Sequence, residues 1–90
     1  VVDLRWLVPL NHAAIAKHAG QCDRILVVDE GRFSAGIGEG VITAITEAGF
    51  GGKPIRRVVG ADTYTPLAGA AFLVIPKDED IVAAADALAG

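Results

Sequence analysis

The sequence predicts a three-layer α/β domain, a mostly parallel sheet with helices on both faces. Two observations predict it. Runs rich in β-branched residues at 1–7, 25–29 and 55–59 alternate with stretches whose apolar residues recur at helical spacing. The run 25–28 is apolar at every position, as strands covered on both faces are. Strands separated by helices imply parallel pairing with crossover connections.

The elements follow in order. Residues 1–7 read as a strand, closed by Pro9. Asn11 is placed to cap a short helix over 12–19, where Ala13, Ala14 and Ala16 favour helix. Lys17 and His18 suit its negative end, and Gly20 supplies the stop. The second strand, 25–29, ends in acid. Beyond a glycine-rich stretch, Ile37, Val41, Ile42, Ile45 and Ala48 mark a helix ended by Gly49, Gly51 and Gly52. The third strand, 55–59, is opened by Pro54 and closed by Gly60. Residues 62–66 form a polar loop in which Asp62, Thr63 and Thr65 supply turn chemistry. The stretch 69–75 suits a strand or a short helix. Asp78 is expected to cap a last helix, with Glu79 and Asp80 at its positive end and Ile81, Val82, Ala85 and Leu88 as its buried stripe.

Ninety residues make one domain, 1–90. With 52% apolar and 21% charged residues the chain is globular. A net charge of -3 and a pI near 5.1 do not suit nucleic acid. Lys53, Arg56 and Arg57 read as a solvated strand edge. No apolar run is long enough to span a bilayer, so no membrane partner is expected. The single Cys22 cannot form an internal disulfide, which fits a reducing compartment. The start at Val1, inside an apolar run, reads as a piece of a longer protein.

The stretch "DEGRFSAGIGEG", 29–40, poses the main functional question. Gly36, Gly38 and Gly40 follow a strand and precede a helix, as in dinucleotide-binding turns. But Val41 stands where the third glycine belongs, and Asp29 and Glu30 would repel a phosphate. No lysine follows as in a P-loop. The plainer reading is a turn whose glycines allow close backbone approach. Ser34 lacks the glycine two residues before it that a nucleophile elbow needs, since Arg32 is there, and no histidine follows it. It reads as a turn or capping serine. His12, His18 and Cys22 match no zinc spacing. Trp6 and Phe33 are expected under helices rather than as partner anchors.

Five segments in order carry a resemblance: "VVDLRWLVPLN" (1–11), "ILVVDEG" (25–31), "SAGIGEGV" (34–41), "RRVVGADTYTPLA" (56–68) and "IPKDEDIVAAADAL" (75–88). Together they resemble the C-terminal transketolase-type domain of thiamine diphosphate enzymes. They are most similar to the beta chain of the decarboxylating component of 2-oxo-acid dehydrogenase complexes, of pyruvate, branched-chain or acetoin type. "DLRW" is also similar to 1-deoxyxylulose-5-phosphate synthase, and transketolase carries the same domain. "GADTYTPLA" favours the dehydrogenase branch.

The resemblance implies an oxidoreductase parent whose thiamine diphosphate and magnesium are held by other domains. This chain has no G-D-G motif, and Glu30 cannot be equated with the family's cofactor-activating glutamate. It therefore implies no catalytic, cofactor-binding or metal residue here. Glu30, Gly36 and Gly38 are structural turn residues. The isolated chain is expected to be a catalytically silent assembly domain. Its partners would be the parent's other domains and subunits and the acyltransferase core, in the cytoplasm or a mitochondrial matrix. The resemblance also implies that a first strand-helix unit is missing, its strand lying between 1–7 and 25–29. Unpaired strands there lead to an expectation of self-association. Two other classes remain open, a nucleotide-binding module on Gly36–Gly40 and a free-standing interaction module.

Overall fold

The computed structural model describes residues 1–64 and 66–90; Thr65, assigned above to the polar loop, lies outside them. Helix α1 spans His12–Gly20, strand β1 Ile25–Arg32, helix α2 Ile37–Ile45, strand β2 Ile55–Gly60 and helix α3 Asp78–Ala89. A single turn of π-helix, Thr46–Phe50, extends α2, and a 3-10 helix, Ala68–Leu73, links β2 to α3.

Strands β1 and β2 pair in parallel, in register from Ile25 opposite Ile55 to Val28 opposite Val58. The register then slips, and Arg32 faces Gly60. Side chains alternate across a strand. Ile25, Val27 and Ile55 therefore share one face, where they pack with Ile15 and Ala19 of α1 and Val41, Ala44 and Ile45 of α2. Val58 has the opposite parity and is buried on the other face. There α3 crosses both strands. The expected order of layers is present, with α1 and α2 on one side and α3 on the other.

Local chemistry sets the ends of these elements. The Asn11 side chain accepts a hydrogen bond from the Ala14 amide at 3.0 Å, the expected cap. The other end of α1 is held by Lys53, whose Nζ donates to the carbonyls of Ala19 at 2.8 Å and Cys22 at 2.5 Å. Its ammonium also lies 4.8 Å from the Phe50 ring. Lys53 is therefore not the solvated edge residue the sequence suggested; it serves the exposed carbonyls that every helix leaves at its C-terminus. Gly49, at φ 94°, breaks the end of the π-turn in a conformation open to glycine.

Two expectations are corrected and one open alternative is resolved. Residues 1–7 form no strand; they run as coil into a turn at 7–10. The Asp3 carboxylate accepts from the Arg5 amide at 3.0 Å, the Leu4 carbonyl accepts from Trp6 at 2.6 Å, and Arg5 takes a left-handed φ of 60°. A strand needs a neighbouring ladder, and without one these local bonds satisfy the backbone instead. Of the two alternatives for 69–75 the short helix is the one present, as the 3-10 helix Ala68–Leu73. Helix α3 begins at Asp78 itself: the Lys77 amide donates to the Asp80 carboxylate at 2.9 Å, so Asp80 makes the cap assigned to Asp78.

Candidate functional site: the glycine turn at the strand ends

In open parallel sheets, ligands bind beyond the carboxyl ends of the strands, at helix N-termini. Here that place is the turn 29–38, roofed by the start of the β2–α3 connection. Gly36 is the N-cap of α2, in extended conformation, and offers no capping side chain. The first amides of α2 must then find acceptors elsewhere.

Asp29 supplies one for the Gly38 amide, and Glu39 and Asp62 take the amides of Ala35 and Ser34 just before the helix. Asp29, half-buried at the end of the regular β1 register, accepts from the Gly31 amide at 2.9 Å and from the Gly38 amide at 3.1 Å. Glu39, in the first turn of α2, accepts from Ala35 at 2.9 Å. Asp62, past the end of β2, accepts from the Ser34 amide at 2.7 Å and from the Ser34 hydroxyl at 2.5 Å. Those Ser34 hydrogen bonds hold the Asp62 carboxyl below its usual range, opposed by desolvation and helped by Arg32 and Arg57.

Two arginines balance the three acids. Arg57 donates to the Phe33 carbonyl at 2.8 Å, lies 4.4 Å over the Phe33 ring and faces Glu39 at 3.8 Å. Arg32 donates through Nε to the Ser34 carbonyl at 3.0 Å. Arg57 is thus largely enclosed, not a solvated edge residue; Arg56 is exposed.

The glycines differ in need. A Cβ on Gly36 would stand 2.6 Å from the Arg32 carbonyl oxygen. On Gly38 it would meet Val59 at 3.3 Å, and on Gly40 it would meet nothing within 4 Å. Gly60 is the most enclosed, with the carbonyls of Glu30, Gly31 and Val74 each 3.0 Å from its Cβ position. Glu30 meets this centre through its backbone; its side chain is exposed.

Electrostatically the turn is complete. The helix dipole of α2 is already met by Asp29 and Glu39. A phosphate would have to displace a carboxylate and stand beside the others. The donors therefore do not fit a diphosphate, and no catalytic step through thiamine diphosphate is derived from this chain. A cavity of about 600 Å³ opens beside the turn, lined by Phe33, Asp62, Leu73, Lys77 and Asp80 among others. Its charged lining is mainly acidic.

The structure brings Ser34, Gly36 and Gly38 together and leaves His12, His18 and Cys22 exposed near α1. Among the described residues, no group of three or more His, Cys, Asp or Glu could hold a metal ion. Trp6 and Phe33, expected under helices, are exposed. Sequence reasoning missed the cap that Asp29 gives α2 and the bonds by which Glu39 and Asp62 hold the turn before it. The signal was present: an acid closing a strand just before a helix whose N-cap is glycine.

A parallel strand pair between helical layers defines a small α/β domain. The chain belongs to the family described as transketolase, C-terminal domain, which it matches over residues 1–81. It is similar to the mitochondrial pyruvate dehydrogenase E1 component subunit beta of Pisum sativum, 36% identical over 94% of this chain and 24% of that protein. It is also similar to the pyruvate dehydrogenase E1 component subunit beta of Rickettsia conorii, 32% identical over 93% of this chain and 27% of that protein. The Staphylococcus aureus protein of that name is 32% identical over 91% of this chain and 26% of its own length. The chain thus spans about a quarter of the length of these curated relatives. No solved structure matches it. Among the described residues, no helix is long and apolar enough to cross a membrane.

Proposed function

We propose that the chain is the non-catalytic assembly domain of a thiamine diphosphate-dependent 2-oxo-acid dehydrogenase, of pyruvate type. The observation that carries this reading is the family match across residues 1–81, joined to relatives that are beta subunits of pyruvate dehydrogenase. The carboxylate-filled turn supports the non-catalytic part: the one place a phosphate would sit is taken by Asp29, Glu39 and Asp62. Its partners are the other domains and subunits of the parent enzyme, with the acyltransferase core as a further docking partner. The bacterial and mitochondrial relatives support a cytoplasmic or matrix location.

Two assays test the proposal. With pyruvate, thiamine diphosphate and magnesium, the chain alone is expected to give no decarboxylation; turnover would defeat the non-catalytic reading. Immobilised chain is expected to retain the pyruvate dehydrogenase subunits of its own source organism, and failure to retain them would defeat the assembly reading. Titration with NAD or ATP addresses a nucleotide-binding module, for which saturable binding at the Gly36–Gly40 turn would be required.

A further inference from the structure

The connection from β2 to α3 turns its large apolar residues outward. Tyr64, Leu67, Phe72 and Leu73 are exposed, Leu67 by 90% and Leu73 by 81%. The 3-10 helix Ala68–Leu73 buries none of its residues. The segment is nonetheless anchored at both ends. The Ala61 amide donates to the Val74 carbonyl at 2.9 Å, and Asp62 accepts from the Ser34 amide across the turn. Its 3-10 helix opens at Ala68 with a left-handed φ of 55°, a conformation that residues with a Cβ seldom adopt. Large apolar groups displayed together on an anchored segment mark a contact surface. The cavity of about 600 Å³ carries the display inward, where Phe33 and Leu73 line it with Asp62 and Asp80.

Charge says what kind of surface fits. Residues 61–80 hold four acids and one lysine, a net charge of -3 that equals that of the whole chain. Asp62 and Asp80 line the cavity, and Asp78 and Glu79 stand exposed beside it. Two copies of the chain meeting by this face would bring those acids against one another, and like charges set opposite each other across an interface are costly. The occupant is therefore a different polypeptide. We propose that the face of Tyr64, Leu67, Phe72 and Leu73 seats a companion subunit of the parent enzyme, one of other than beta type. The companion's contact surface is apolar at its centre and edged with lysine or arginine, with one such side chain entering the cavity between Asp62 and Asp80. The seat rests on the assembly reading above, since relatives named as subunit beta imply a companion of another kind.

Binding of the purified companion subunit, from the pyruvate dehydrogenase of the source organism, to the immobilised chain tests the seat. The unsubstituted chain is expected to bind, and to bind more weakly as salt rises, because exposed charges are screened. Leu67→Asp and Leu73→Asp each place a charge in the apolar centre. They should weaken binding about tenfold or more and leave the melting of the chain unchanged. Glu79→Lys, at the rim, should weaken it about threefold. Glu47→Lys makes the same change of charge in the exposed π-turn, outside this face, and should leave binding unaltered. Were one leucine variant to melt early, the other and Glu79→Lys would still decide. If the unsubstituted chain binds no companion subunit, the assembly reading fails and the seat with it. If it binds and both leucine variants bind as well as it does, the assembly reading stands and the seat is overturned. Equal weakening by Glu79→Lys and Glu47→Lys would overturn the charge match.

Discussion

Between residues 29 and 38 the chain leaves its sheet through a turn whose amides bond to carboxylates from three separate elements. Between residues 1 and 7 it runs past the same strand held by bonds that reach no further than two residues. Both segments carry Asp and Arg, and both contain a non-glycine residue at positive φ, Ala35 at 56° and Arg5 at 60°. The difference is in what each bond ties together. Asp62 reaches Ser34 across 28 residues of sequence, and Asp29 reaches Gly38 across nine. Each such bond fixes one secondary element against another, so the strained Ala35 conformation is over-determined by its surroundings. The bonds near Arg5 fix nothing beyond themselves. Donor type does not distinguish a rigid turn from a loose one; sequence separation between partners does.

Substitution at the glycines is the harshest way to break this contrast. Gly36→Ala should destabilise the chain by about 2 kcal/mol, since its Cβ must displace the Arg32 carbonyl now 2.6 Å away. Gly38→Ala should cost less than about 1 kcal/mol, because its neighbour is the tip of Val59 at 3.3 Å and alanine gains helix propensity. Urea denaturation of the two variants beside the parent measures both. Equal midpoints for Gly36→Ala and the parent would mean that the turn is not packed as described.

Much of this was legible in the sequence because it rests on local rules. The Asn11 cap, the two paired strands and the helix after the glycines follow from propensity, periodicity and turn chemistry between near neighbours. The misreadings of 1–7, Lys53 and Arg57 share one cause. Whether 1–7 forms a strand depends on whether a neighbour offers an edge, which no window of seven residues contains. Whether Lys53 and Arg57 are solvated depends on Ala19, Cys22 and Phe33, more than twenty residues away. Asp29 was read as repelling a phosphate. In the structure it takes the phosphate's place, and the same negative charge accounts for both readings.

Acid offers a gentler test. The Asp62 carboxyl is held below its usual range in the folded chain, so the folded state binds its proton less readily than the unfolded state does. The stability it contributes is fully present above its unfolded pKa of about 3.9, and it is lost as pH falls through that value toward the lower folded one. Asp62→Asn should remove that part of the acid dependence. Its denaturation midpoint should fall less between pH 5 and pH 3 than the parent's does. A parallel decline in both proteins would detach Asp62 from the turn's stability. Because the carboxylate is exposed, the effect should be smaller than that of Gly36→Ala.

The smallest effect belongs to the largest side chain in the loose segment. Trp6 is 75% exposed. Truncating a buried tryptophan to alanine removes about 3–5 kcal/mol, whereas substitutions on an open surface usually stay within about 0.5 kcal/mol. Trp6→Ala should therefore leave the urea midpoint of the chain within that narrow band. A loss of several kcal/mol would place the indole under a helix after all, and residues 1–7 would then be as firmly tied to the core as the glycine turn. An unchanged midpoint, with the Gly36→Ala midpoint falling, would leave the contrast between the two segments intact: the turn after β1 is closed by bonds that span the fold, and residues 1–7 are held by bonds that span two residues.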